Sequence, residues 1–87
     1  MCYLYVLQSL KNQTYYVGST NDLKRRLDEH KSGQSNYTNK ILPIKLVFKQ
    51  KFSTLQLARK AELWLKRQKS KTLIVQIIND GKISKQF

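Results

Sequence analysis

Cysteine and histidine are nearly missing from this 87-residue chain, which holds one of each, Cys2 and His30. A single thiol permits no internal disulfide and no Cys-rich zinc site, which fits a reducing cytosol, and a single imidazole excludes a multi-histidine metal centre. Carboxylates are also scarce: Asp22, Asp28, Glu29, Glu62 and Asp80 are the only five, and they are scattered along the chain. A site holding two metal ions needs a cluster of carboxylates, so none is expected. The apolar start, Met1 to Leu7, is too short to span a bilayer and lacks the basic flank and cleavage site of a signal peptide, so a cytoplasmic protein is expected. There is no internal repeat, low-complexity tract or linker, and a chain of this length is expected to form one domain over residues 1–87. Such a domain buries only roughly 60 to 65% of the surface its unfolded chain exposes, so modest stability is expected.

What the sequence does have is positive charge. Seventeen Lys and Arg against five acids give a formal net charge of +12 and a pI near 10.1. The resulting potential draws polyanions, of which nucleic acid is the commonest. Plainer readings are a ribosomal or chromatin-like packing protein, or a basic surface that serves solubility alone.

Residues 2 to 8 alternate, Cys2, Leu4 and Val6 against Tyr3, Tyr5 and Leu7, as a strand does. Lys11-Asn12-Gln13 reads as a turn into a second strand, Thr14 to Val17, making a hairpin across which Tyr5 and Tyr16 approach one another. Thr20 or Asn21 is a suitable N-cap and Gly33 a suitable C′ residue, predicting a helix over about 22 to 32. With Leu23 set at zero, Leu27 falls at about 40°, His30 at about 340° and Arg26 at about 300°, while Arg25 falls at about 200°. Arg26 and His30 therefore flank the buried seam and Arg25 faces solvent. The stretch from Gly33 to Pro43 is irregular. Ile44, Leu46 and Phe48 alternate with Lys45, Val47 and Lys49, a third strand with one basic outer face. Ser53 and Gln56 resemble a capping box opening a helix to about Lys69, and Leu73, Ile74, Ile77 and Ile78 repeat at helical spacing before Gly81.

The run Tyr15-Tyr16-Val17-Gly18-Ser19-Thr20-Asn21-Asp22-Leu23-Lys24-Arg25-Arg26-Leu27-Asp28-Glu29-His30-Lys31-Ser32-Gly33 resembles, almost letter for letter, the most specific segment of the GIY-YIG nuclease superfamily. Within it, the similarity is to the small stand-alone YhbQ-like proteins, relatives of the nuclease half of the excision-repair protein UvrC. The resemblance covers Cys2 to about Leu73. Tyr3 and Leu4 stand where the family usually has Gly and Ile, while Tyr5 is kept. Ser19 stands where some members have lysine, and Ile74 where some have asparagine, so a weak, non-specific nuclease is expected before an efficient one. The resemblance implies an α+β fold, a small three-stranded antiparallel sheet flanked by helices.

It also implies the chemistry of cutting a phosphodiester bond. With too few carboxylates for two ions, one divalent cation, Mg²⁺ or Mn²⁺, held by one carboxylate with water and substrate phosphate, is the expected arrangement. The resemblance assigns that carboxylate to Glu62, whose plainer role is an i,i+4 pair with Lys66. Tyr5 and Tyr16 divide the roles of base or water-orienter and phosphate donor, with Tyr5 favoured as base provided nearby positive charge lowers its pKa. Core packing is the plainer role of any strand tyrosine and the default for Tyr3, Tyr15 and Tyr37. Arg26 is expected to clamp the scissile phosphate, for which its planar fork of donors is suited, and His30 to bond a phosphate oxygen or move a proton. Gly18, Ser19 and Thr20 are expected beside the substrate. Lys45, Lys49, Lys51, Lys66, Arg67, Lys69 and Lys71 are expected to form a sequence-blind surface for nucleic acid, DNA before RNA. The expected activity is therefore a metal-dependent endonuclease in DNA repair or processing. The alternatives are a catalytically weak or inactive nucleic-acid-binding module of the same fold and a ribosome-associated basic protein.

Overall fold

A strand apolar on both faces belongs in the middle of a sheet, and β1 (Cys2–Ser9) lies there. The computed structural model describes residues 1–33 and 42–87, and it sets β1 between β2 (Tyr15–Thr20) and β3 (Ile44–Phe52), antiparallel to both. Tyr37 and most of the expected irregular stretch lie outside the described residues. Leu4 and Val6 point to one side of β1 and Tyr5 and Leu7 to the other, and all four are buried. On the Leu4 side, α2 (Leu55–Gln68) and α3 (Lys71–Asp80) contribute Ala61, Leu65 and Ile77 to the core. On the Tyr5 side, α1 (Leu23–Lys31) packs Leu23 and Leu27 against the sheet. Full burial of a Leu or Val is worth about 1.5 to 3 kcal/mol, so these two layers hold the sheet from both faces. The architecture is the expected α+β fold.

The hairpin is set by its turn. Ser9 Oγ accepts the N–H groups of Lys11 and Asn12, Asn12 Oδ1 accepts that of Thr14, and Gln13 takes φ 64°. The resulting register puts Gly18 opposite Tyr5 and Tyr16 opposite Leu7, so the two tyrosines meet on a diagonal. Strand β2 continues past Val17 to Thr20, which makes Gly18 a strand residue and not the end of a turn.

Several expectations need correction. The alternation of β3 is broken by an irregularity opposite Val6 and Leu7, where Phe48 pairs with Val6 but Leu46 with Leu7. One extra residue reverses the facing of everything beyond it. Lys49 and Lys51 therefore share the Tyr5 face while Lys45 shares the opposite one, and the single basic face read from the sequence does not exist. The caps also move by one residue. Asp22 Oδ1 accepts Arg25 N–H at the start of α1, and Thr54 Oγ1, not Ser53, accepts Leu57 N–H at the start of α2. At the C-terminal end, Ile83 is buried and its N–H and C=O are both held by the Gln50 amide, while Phe87 packs edge-on against Phe52 and Trp64.

Candidate active site

Tyr5 is the centre from which the site builds. Its ring lies 1% exposed over Gly18, where a Cβ would come within 2.5 Å of the Tyr5 hydroxyl oxygen. Glycine is thus required by the phenol beside it rather than by an approaching substrate. The Tyr5 hydroxyl meets His30 Nε2 at 3.0 Å. Tyr16 completes a cluster of three rings, with centroids 6.4 Å from Tyr5 and 5.2 Å from His30, and Tyr5 lies 5.8 Å from His30.

Helix α1 supplies the charge on this side. Arg26 inclines to the sheet, with its side chain 33% exposed against 61% for Arg25, as the helical arithmetic required. Its guanidinium is held by Glu29 at 3.0 Å and interacts with both phenols. Glu29 stands three residues on, a spacing the sequence displayed, but its role as the anchor of Arg26 was not read from it.

Helix α2 brings the carboxylate from the other face of the sheet. Glu62 Oε1 accepts the Ser19 hydroxyl, and Oε2 accepts the Lys66 ammonium. Lys66 in turn lies 6.0 Å from the Tyr16 ring centroid, so α2 reaches round the outer edge of β2. Glu62 is close enough to raise the Tyr5 pKa by its charge. Tyr5, Tyr16, Arg26, His30 and Glu62, drawn from four elements, therefore share one locality.

Burial divides this group in two. Tyr5 and His30 form a floor, and Tyr16, Arg26 and Glu62, the last with 22% of its side chain exposed, form a reachable rim. The expectation that His30 meets a phosphate oxygen is corrected, because its ring is 0% exposed beneath the tyrosines and its Nε2 faces Tyr5. Burial, with the nearby Arg26 charge, lowers the His30 pKa to about 4, so it is neutral at neutral pH. The expectation that surrounding cations lower the Tyr5 pKa is also corrected. Burial raises it to about 12, outweighing the opposing interaction with Arg26.

Among the residues expected to touch nucleic acid, three prove to be supports. Gly18 makes room for Tyr5, Ser19 holds Glu62, and Thr20 is buried with its hydroxyl bonded to Asp22 N–H. Lys66, Lys69 and Lys71 gather at one cleft beside Tyr15 and Tyr16, while Arg67 is exposed on α2 and Lys45 and Lys49 lie across the sheet on β3. The cleft was not foreseen, since α3 had no expected place against β2.

Among the described residues, no group of three or more His, Cys, Asp or Glu is arranged to hold a metal ion. The donor set instead fits a single hard cation bound by one carboxylate and otherwise by water and phosphate oxygens. Glu62 already faces a cation, the Lys66 ammonium, and its side chain is reachable from solvent.

The chain matches the GIY-YIG catalytic domain family over residues 1–74. It is 44% identical over 68 residues to a UPF0213 protein of Streptococcus pneumoniae, covering 77% of this chain and 68% of that protein. To a UPF0213 protein of Streptococcus agalactiae it is 40% identical over 82 residues, covering 90% and 92%. The solution NMR structure of a UPF0213 protein from Bacillus halodurans superposes with a TM-score of 0.57 at 31% identity, covering 91% of this chain and 84% of that one.

Proposed function

The chain belongs to the GIY-YIG catalytic domain family, and on that premise we propose that it is a metal-dependent endonuclease of the cytoplasm. Its substrate is the phosphodiester backbone of DNA before RNA, cut with little sequence preference during repair or processing. The observation that carries the reading is the meeting of Tyr16, Arg26 and Glu62 on an accessible rim over the Tyr5–His30 floor. The +12 charge supplies the sequence-independent attraction.

Glu62 is the residue that holds the divalent cation, Mg²⁺ or Mn²⁺, with Ser19 fixing the carboxylate. When bound, that ion supplies Lewis-acid stabilisation of the phosphate charge and an acidified water. Arg26, held charged by Glu29, clamps a non-bridging phosphate oxygen and offsets the charge that grows in the transition state. Tyr16 donates its hydroxyl to the same phosphate. Tyr5 remains a neutral phenol in the buried floor, so it acts by orientation: its hydroxyl, hydrogen-bonded with His30 Nε2, also meets the Arg26 guanidinium that faces the phosphate. His30 is then a positioning residue.

Supercoiled plasmid incubated with Mg²⁺ or Mn²⁺ tests the proposal. Nicking by the wild type that both Glu62→Gln and Tyr5→Phe lack supports it, and full activity in Glu62→Gln overturns it. One observation favours the alternative of a binder without turnover. Both Glu62 oxygens already have partners, Ser19 and Lys66, so an ion binding there competes with an ammonium. DNA retained without nicking under either ion is the outcome that reading requires.

A further inference from the structure

Beside the rim, on the outer edge of β2, a cleft of about 550 Å³ opens where α2 ends and α3 begins. Its chemistry differs from that of the site it adjoins. Leu65 and Ile74 contribute apolar wall, Tyr15 and Tyr16 contribute rings, Lys66, Lys69 and Lys71 contribute ammonium groups, and among the described residues no carboxylate lines it. The lysines show which way the rings look. Lys66 Nζ lies 6.0 Å from the Tyr16 centroid and Lys71 Nζ 5.9 Å from that of Tyr15, so both rings already attract cations beside the cleft.

A second observation concerns Lys69. Each of the three helices is followed by a residue in the left-handed region, and two of these are glycine, Gly33 at φ 82° and Gly81 at φ 81°. The third is Lys69 at φ 47°, the C-cap of α2. A side chain is strained in that conformation and glycine is not, so a lysine there works against the backbone. That lysine lines the cleft.

We infer that this cleft holds an unpaired nucleobase of the strand being cut, making single-stranded or locally opened nucleic acid the preferred substrate. The inference rests on reading the rim as a phosphodiester-cutting centre. Apolar wall and aromatic rings suit a planar base, and three ammonium groups suit the phosphates on either side of it. A stacked, paired base presents neither face and leaves the cleft unfilled. Tyr16 and Lys66 belong to both regions, which places the held base next to the phosphate at Arg26 and Glu62.

The test uses the full chain in EDTA, so that binding is read without turnover. Fluorescence anisotropy compares a labelled single strand of about 12 nucleotides, the same strand with one abasic position, and the corresponding duplex. The intact single strand should bind about tenfold tighter than the duplex, and the abasic substitution should cost about fivefold or more. Tyr15→Leu, which keeps apolar bulk and removes the ring, should weaken single-strand binding about tenfold and leave duplex binding within about twofold. Lys69→Gly should weaken single-strand binding while the thermal midpoint stays level or rises. Equal affinity for intact, abasic and duplex DNA overturns the inference, as does a Lys69→Gly protein that melts lower and binds as before. If the binding pattern holds and plasmid is never nicked, the cleft assignment stands and the cutting reading falls.

Discussion

The two edges of the sheet are built from similar materials and do different work. Both flank β1, both are antiparallel to it, and both carry exposed lysines nearby. Opposite Tyr5, however, one edge presents Gly18 and the other Lys49. The absent side chain on β2 lets the phenol lie against the strand, and α1 then brings Arg26 to the phenols while α2 brings Glu62 to Ser19 on the same strand. Beside β3, Lys49 shares a hollow with Tyr3 and Asp22, but among the described residues no guanidinium lines it. Net charge attracts a polyanion to either edge, and the arrangement of groups at one of them is what acts on it.

The sharpest way to break this comparison is to exchange the charge state of one residue on each edge. Glu62→Gln should lower plasmid nicking by about 100- to 1000-fold, equivalent to about 3 to 4 kcal/mol of transition-state stabilisation. Its DNA affinity in EDTA should change little. Lys49→Gln should leave the nicking rate within about twofold. Similar losses from both variants would mean that β3 shares in the chemistry.

Stability offers the next contrast. Gly18→Ala forces a methyl into a space where the Tyr5 ring, itself pinned by His30 and Tyr16, has nowhere to move. The expected cost is about 3 kcal/mol, seen as a fall in thermal midpoint of roughly 12 °C or more. Lys49→Ala, directly across β1 from the same tyrosine, should cost less than about 0.5 kcal/mol. Paired urea melts decide between them, and a Gly18→Ala protein as stable as wild type would show that Tyr5 is not held where it lies.

Much of this edge was legible in the sequence and the rest was hidden for identifiable reasons. Arg26 was separable from Arg25 because helical geometry fixes which of two neighbours faces the sheet. Tyr5 and Tyr16 were legible because a hairpin brings its strands together whatever its register. The role of Gly18 was not, since it depends on the register that puts it opposite Tyr5. The facing of Lys45 is hidden from the sequence because one bulged residue in β3 leaves the composition unchanged while reversing the alternation. His30 was placed beside the seam, but periodicity measures direction and not depth, so its complete burial was invisible. Ile83 and Phe87 follow the last helix with no periodicity to announce them.

A pH dependence localises the buried half of the β2 side. His30 is the chain's only histidine, and it is faced by Tyr5, Tyr16, Arg26 and Glu29. Unfolded, an imidazole takes up a proton near pH 6.5, whereas in the folded protein it does so only near 4. Between those values the unfolded chain binds more protons, so stability is complete above about 6.5 and falls as the pH drops toward 4. The loss between pH 7 and pH 5 should be about 2 kcal/mol by urea denaturation. His30→Asn should be less stable at pH 7 and should lose far less between the two pH values. An unchanged slope in that variant would place the titrating group elsewhere.

The smallest expected effects belong to the lysines of β3, and they test whether charge there is more than a passive attraction. Lys45 and Lys49 lie on opposite faces of the strand, so one nucleic-acid backbone is poorly placed to meet both. If either contacts a phosphate, its replacement by alanine should reduce the slope of log affinity against log salt by about 1, equally for every sequence tested. With the two lysines facing opposite ways, only Lys49, on the Tyr5 side, should reach that full decrement, and the double variant should lose no more than Lys49→Ala alone. Two equal and additive decrements would mean that nucleic acid wraps the β3 edge as well, and the division of labour between the edges would then lie in chemistry alone and not in binding.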